Sequence, residues 1–346
     1  MTDSTRETAP VVVTSPVNLS TDGGGASTLP PSGLARRRRR SGGGSGLAAR
    51  LEIAGLAAPA VVIFLTFVIL PVFMAAYYGF YKWKGYGKPT DFAGFHNYVV
   101  IFQDPLFHGA LIHNLEIVVL SLVFQGPIAI IFALLLNRKM RGQSIIRVLI
   151  FVPYVISEAV AGIGWSLLLA GNGAFDALMR DLHLNFLARD WLANPRLALW
   201  TLMIILTWKY IGYATILFLA GLQGIPEELN EAAAIDGASY WQVQRRITLP
   251  LLGPTIRIWA FLSIIGALQL FDIVYIIWGQ YVASTAGVST MATYMNQNGR
   301  ISGNFGFGSA VAVVMFLISL VIALTYQRFV LRRDTEGALT GGGRTR

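Results

Sequence analysis

Six separate stretches of this chain stay apolar for roughly 20 residues or more, the length a helix needs to cross the hydrocarbon core of a bilayer. They cover residues 53–80, 115–136, 145–170, 197–220, 256–278 and 309–329. Inside hydrocarbon every backbone N–H and C=O must find its partner within the protein, so isolated runs of this length are confined to helices. With 54% apolar and only 13% charged residues over 346 positions, the chain reads as an all-α polytopic membrane protein with six transmembrane helices, rather than as two soluble domains. Pro71, Pro127 and Pro153 fall inside three of the runs. Kinks are expected there, tolerated where neighbouring helices take up the freed carbonyls.

Charge fixes the orientation. The net charge of +9 is concentrated beside the apolar runs, which favours a topology signal over a nucleic-acid footprint. With the N-terminus inside, Arg36 to Arg40, Arg138, Lys139, Arg141, Arg147, Arg245, Arg246, Arg257, Arg328, Arg332 and Arg333 all lie on the cytoplasmic side. The outer loops keep Lys82, Lys84, Lys88, Arg180, Arg189, Arg196 and Arg300, with aspartates beside them. Both termini are therefore expected in the cytoplasm. Residues 1–50, rich in Gly, Ser, Thr and Pro, cannot bury enough surface to offset ordering and are expected to form a disordered basic tail. A transmembrane domain over 51–334 and a disordered tail at 335–346 complete the division. The run Arg36 to Arg40 reads as a positive-inside anchor, or as a contact with anionic membrane lipid at about 1 kcal/mol per arginine. The apolar run at 53–81 is far longer than the roughly 7 to 15 residues of a signal peptide core, so it is expected to remain as a span.

Enzymatic chemistry finds no foothold. The chain has no cysteine, and its four histidines show no metal-ligand spacing, so no metal site is expected. It carries no Walker phosphate loop and no nucleophile elbow, and Gly42-Gly43-Gly44-Ser45-Gly46 has linker composition. The first outer loop, 83–113, carries aromatics with Phe92-x-Gly94-Phe95-x-Asn97-Tyr98 and Asp104-Pro105, which suggests a short interfacial or amphipathic helix. The last outer loop, 279–308, either dips back toward the membrane or presents a docking surface. No internal repeat is evident.

Between the fourth and fifth runs, on the cytoplasmic side, residues 224–253 form a polar insert with both signs of charge. Pro226 suits the first position of a helix, and Glu227, Glu228 and Glu231 favour its positive dipole end. Asp236-Gly237 is expected to break that helix, with Gly237 in the left-handed conformation. Ser239 with Gln242 is a capping-box pattern opening a second helix, which Leu249-Pro250 is expected to close.

In this insert Glu231-Ala232-Ala233, then Asp236-Gly237-Ala238, then Ile247-x-Leu249-Pro250 resemble the E-A-A loop of the permease subunits of binding-protein-dependent ABC importers. Shorter pieces extend the resemblance toward the carbohydrate branch, the maltose and glycerol-phosphate type: Phe92 to Tyr98, Asp104-Pro105, Arg147 to Pro153, Gly162, Gly164 and Trp165, Trp208 with Gly212, and Leu219 to Pro226. The chain departs from that pattern at Gln244, where a phenylalanine is usual, and at Trp278-Gly279-Gln280, where Gly-Gly-Pro is common. The resemblance implies a non-catalytic transport subunit that forms half of a translocation pathway for a sugar or polyol with a second, homologous permease. It also implies that Glu231, Ala232, Ala233, Asp236, Gly237, Ala238, Ile247, Leu249 and Pro250 seat in a cytoplasmic ATPase dimer, which binds ATP and Mg in place of this chain. An extracytoplasmic sugar-binding protein would deliver substrate, in the cell membrane of a prokaryote.

Glu158, Lys209 and Asp272 lie inside apolar runs, where a charge costs about 2.5 to 3.5 kcal/mol on insertion scales and faces the bundle interior or a cavity. With Gln269 they are candidates for the pathway; Gln125, Asn172 and several Trp and Tyr would suit sugar hydroxyls and ring faces. The other reading of the charges is a lysine–carboxylate pair that only locks helices together. Two further classes stand beside the importer: an ion-coupled secondary transporter using Glu158, Lys209 and Asp272, and a membrane-embedded enzyme, for which no constellation speaks.

Overall fold

The computed structural model describes residues 47–138 and 141–331. Of the tail expected over 1–50, residues 1–46 lie outside the described residues and 47–50 are already helical; the expected tail at 335–346, Lys139, Arg332, Arg333 and the run Arg36 to Arg40 also lie outside the described residues. The chain divides into residues 1–59 and residues 60–346. Of the first unit, the structure describes a helix from Leu47 onward, whose side chains from Arg50 to Pro59 are exposed. Among the described residues the fold is helical, with a single isolated bridge between Tyr81 and Phe92.

Five helices are long and apolar enough to cross a membrane: Arg50–Tyr78, Pro105–Leu136, Pro195–Gln223, Gly253–Gly279 and Phe305–Val330. They supply the first, second, fourth, fifth and sixth expected spans. The third span is not the proline-kinked rod expected over 145–170. It consists of two helices, Gln143–Val155 and Glu158–Leu168, bent by 95°. The chain turns extended at Ile156 (ψ 134°) and Ser157 (ψ 150°), and Ser157 Oγ caps the second helix by accepting from Val160 N–H at 3.3 Å. Glu158 in that first turn matches the positive helix end. A serine cap and an acidic first turn are start signals, and here they prevail over the apolar composition around them.

The other prolines are absorbed without a break. A proline has no N–H and crowds the carbonyl one turn back. In three places the turn just ahead of it widens to an i→i−5 bond: Leu70 N–H to Leu65 O before Pro71, Gly126 N–H to Ser121 O before Pro127, and Leu249 N–H to Gln244 O before Pro250.

The fourth span is the central post, since over half of its apolar window is buried (56%) against a third or less in the other long helices. It meets the third span where Gly212 leaves no room for a Cβ against the Ile150 carbonyl. In the first outer loop, helix His96–Gln103 is amphipathic, as expected. Asn97 and Ile101 point inward while Phe95, Val99 and Phe102 are exposed. Asn97 Nδ2 ties this helix to the end of the first span by donating to Gly79 O (2.9 Å) and Tyr81 O (3.1 Å). In the last outer loop Val288, Thr290 and Met291 are fully buried, so this part of the loop folds back onto the bundle.

Candidate functional site

The polar insert at 224–253 folds from local signals. Helix Glu228–Ile235 begins after Glu227, so Pro226 sits just outside it and not at its first residue. Proline's fixed φ still directs the chain into the turn. The helix ends in a Schellman motif, with Ala238 N–H donating to Ala233 O (2.9 Å) and Gly237 N–H to Ala234 O (3.1 Å). That motif requires a left-handed residue, and Gly237 has φ +77°. Ser239 and Gln242 form the expected capping box at the start of Tyr240–Val243, with Ser239 N–H donating to Gln242 Oε1 at 2.7 Å. Leu249-Pro250 does not close this second helix. The wide turn Gln244–Thr248 carries the helix past the proline to Leu251, and Gly253 opens the fifth span.

The elbow exposes an unusual surface. Ile235 is 87% and Trp241 76% exposed, each on one side of Gly237. Glu231, Ala232, Asp236, Gly237 and Pro250 are also exposed, Ala238, Ile247 and Leu249 half-buried, and Ala233 buried beneath the first helix. A concavity of about 280 Å³ opens between Asp236, Ala238, Gln242, Arg246 and Ile247. The Arg138 guanidinium, at the end of the second span, lies 3.9 Å from the Tyr240 ring centroid and braces the second helix. Gln244 Oε1 and Asn230 Oδ1 are buried with no hydrogen-bond partner.

Within the bundle lies a cleft of about 330 Å³ between the second, fourth and fifth spans, with Tyr154 of the third at its side. Tyr210, Tyr213 and Trp259 supply further aromatic faces, and Tyr154 stacks on Tyr213 at 5.2 Å. Its polar groups are connected: Ser121 Oγ donates to Gln125 Oε1 (2.5 Å) and pairs with Ser263 Oγ (2.8 Å). Ring faces with a few hydroxyl and amide groups can stack and hydrogen-bond a polyhydroxylated ring. No charged side chain lines this cleft among the described residues.

Glu158, Lys209, Gln269 and Asp272 stand apart from that lining. Lys209 is only 3% exposed, and Nζ donates to the carbonyls of Pro153 and Tyr154 (3.3 Å each) and of Ile156. Its hydrogen-bond partners are thus backbone, at the break in the third span. Glu158 accepts from the Tyr210 hydroxyl. Gln269 and Asp272, both exposed, flank a non-helical step in the fifth span at 270–271. The freed backbone there is held by residues that sequence reasoning did not single out. Asn114 Nδ2 donates to Ala267 O (2.6 Å), Thr290 Oγ1 to Leu270 O (2.7 Å), and Met291 N–H to Asn114 Oδ1 (2.8 Å). The signal for Asn114 was a lone amide one residue ahead of an apolar run; for Thr290 it was Thr290-x-x-Thr293, a capping pattern.

A family model described as binding-protein-dependent transport system inner membrane component matches residues 125–334. A probable ABC transporter permease of Pyrococcus horikoshii is 31% identical over 272 residues, covering 78% of this chain and 91% of its own. The arabinooligosaccharides transport system permease of Bacillus subtilis is 31% identical over 268 residues, 77% of this chain and 84% of its own. Among solved structures, a chain of a bacterial alginate ABC transporter, in complex with an alginate pentasaccharide-bound periplasmic protein, superimposes with a TM-score of 0.72. That match has 24% sequence identity over 82% of this chain and 96% of the other, and it speaks to the fold.

Proposed function

The chain belongs to the binding-protein-dependent transport system inner membrane components, as a multi-pass ABC transporter permease, and we propose that it forms half of the translocation pathway of an ATP-driven sugar importer. In this reading a second, homologous permease supplies the other half, and an extracytoplasmic binding protein delivers the sugar. An ATPase dimer binds ATP and Mg and hydrolyses the nucleotide, so this chain itself catalyses nothing. The complex resides in the cell membrane of a prokaryote. The family assignment leaves the ion-coupled carrier and the membrane enzyme without support.

The observation that carries the coupling role is the elbow at Gly237, a helix pair presenting Ile235 and Trp241 to solvent on the face that the charge pattern assigns to the cytoplasm. Large apolar side chains exposed on both sides of a concavity suit a protein partner. Glu231, Ala232, Ala233, Asp236, Gly237, Ala238, Ile247, Leu249 and Pro250 frame that surface. For a sugar, the support is the uncharged, aromatic cleft with its Ser121, Gln125 and Ser263 groups, together with relatives named for arabino-oligosaccharides and for trehalose and maltose. The test is a Gly237→Pro variant, since proline holds φ near −65° and cannot take +77°. Sugar uptake by the complete transporter should fall to background while the variant chain still reaches the membrane. Unimpaired uptake would contradict the coupling role.

A further inference from the structure

The break in the third span is gripped from one place. Gln143–Val155 ends with its carbonyls aimed at the fourth span, and Glu158–Leu168 starts there. Two consecutive residues of the fourth span meet both ends: Lys209 takes the carbonyls of Pro153, Tyr154 and Ile156, and the Tyr210 hydroxyl holds Glu158. The charges fit the helix dipoles, a cation at the negative C-terminal end and a carboxylate at the positive N-terminal end. Lys209 and Glu158 also attract each other across the gap. Carbonyls freed by a break inside a membrane have no water to turn to, so their partner must come from the protein. Tyr154, whose carbonyl is one of the three, is also a wall of the cleft and stacks on Tyr213, one turn along the same fourth span.

We propose that Lys209 is a positioning residue, which with Tyr210 fixes the bend of the third span and so sets Tyr154 in the wall of the cleft. Its buried charge serves the backbone and does not face the cleft lumen. The relevance to transport rests on the cleft being part of the sugar pathway; the geometric claim does not.

The chain has no cysteine, so a spin-labelled pair can be placed without background. Leu149 and Leu167, 67% and 68% exposed, lie on either side of the break. At 1.5 Å rise per residue, a 95° bend sets their backbones about 19 Å apart, against about 27 Å in a straight helix. The full chain carrying Leu149→Cys and Leu167→Cys in lipid nanodiscs is expected to give one short, narrow distance. Lys209→Met should move the distribution by up to about 8 Å toward the straight value, or broaden it over that range. Lys209→Arg, which keeps the charge and adds donors, should restore the short distance. If Lys209→Met does not accumulate, Lys209→Gln and Tyr210→Phe are read in its place, each expected to broaden the distribution. An unchanged distance in Lys209→Met, or in both substitutes, overturns the proposal. Because neither sugar nor ATPase enters this measurement, its failure is distinct from failure of the importer reading.

Discussion

Replacing Asn114 by leucine should be among the costliest single substitutions in the bundle. The side chain is fully buried and links three elements: it donates to Ala267 O at 2.6 Å in the fifth span and accepts from Met291 N–H at 2.8 Å in the folded-back outer loop. Leucine fills a similar volume, so little of the effect is a cavity. What it leaves unpartnered is the Met291 N–H, whereas Ala267 O keeps the bond from Leu270 N–H at 3.4 Å. An unsatisfied buried group costs about 1–3 kcal/mol and a lost hydrogen bond about 0.5–1.5 kcal/mol, so the substitution should cost about 1.5–4.5 kcal/mol. Thr215→Val is the matched control. Thr215 is as deeply buried (1% exposed), but its hydroxyl only returns to Ile211 O (2.7 Å) of its own helix, and its loss should cost about 1 kcal/mol. Reversible unfolding of the purified chain by SDS titration in mixed micelles measures both. Equal destabilisation by the two substitutions would refute the view that the fifth-span step depends on Asn114.

Two further outcomes follow from packing and from the outer loops. Gly212→Ala places a methyl group against the Ile150 carbonyl and should destabilise by about 1–3 kcal/mol. Gly164→Ala, which meets nothing within 4 Å, should be neutral or stabilise by up to about 1 kcal/mol in the same unfolding assay. Tyr294 donates to Asp104 Oδ2 at 2.5 Å, and Asp104 also caps the second span through Leu106 N–H at 2.8 Å. Tyr294→Phe should therefore cost about 1.5–3 kcal/mol and Asp104→Ala about 1 kcal/mol more, with the opposite order counting against the double role of Asp104.

The parts of this molecule that could be read from its sequence are those whose causes are local. Ser239 with Gln242, and Asp236-Gly237, specify the elbow within a few residues, and the structure forms it there. Length and apolarity likewise place five of the six spans. The break in the third span was signalled by Ser157-Glu158, but the apolar residues on both sides mask a two-residue start signal. Pro250 misled for a related reason: a widened turn relieves its clash, and nothing in the residue itself shows that the preceding turn can widen. Of the cleft only Gln125 and a general wealth of Trp and Tyr were legible, and the partners of Lys209 were not. The former is assembled from four spans, and the latter are backbone carbonyls, which every residue possesses and no sequence pattern marks.

The central claim is that residues 224–253 seat this permease in its ATPase. The direct measurement is recovery of the ATPase subunit with an affinity-tagged chain from membranes in which the whole transporter is expressed, comparing the native chain with Gly237→Pro at equal chain levels. The account predicts that the native chain retains the ATPase and that the variant loses it. Equal recovery of the ATPase by both would contradict it.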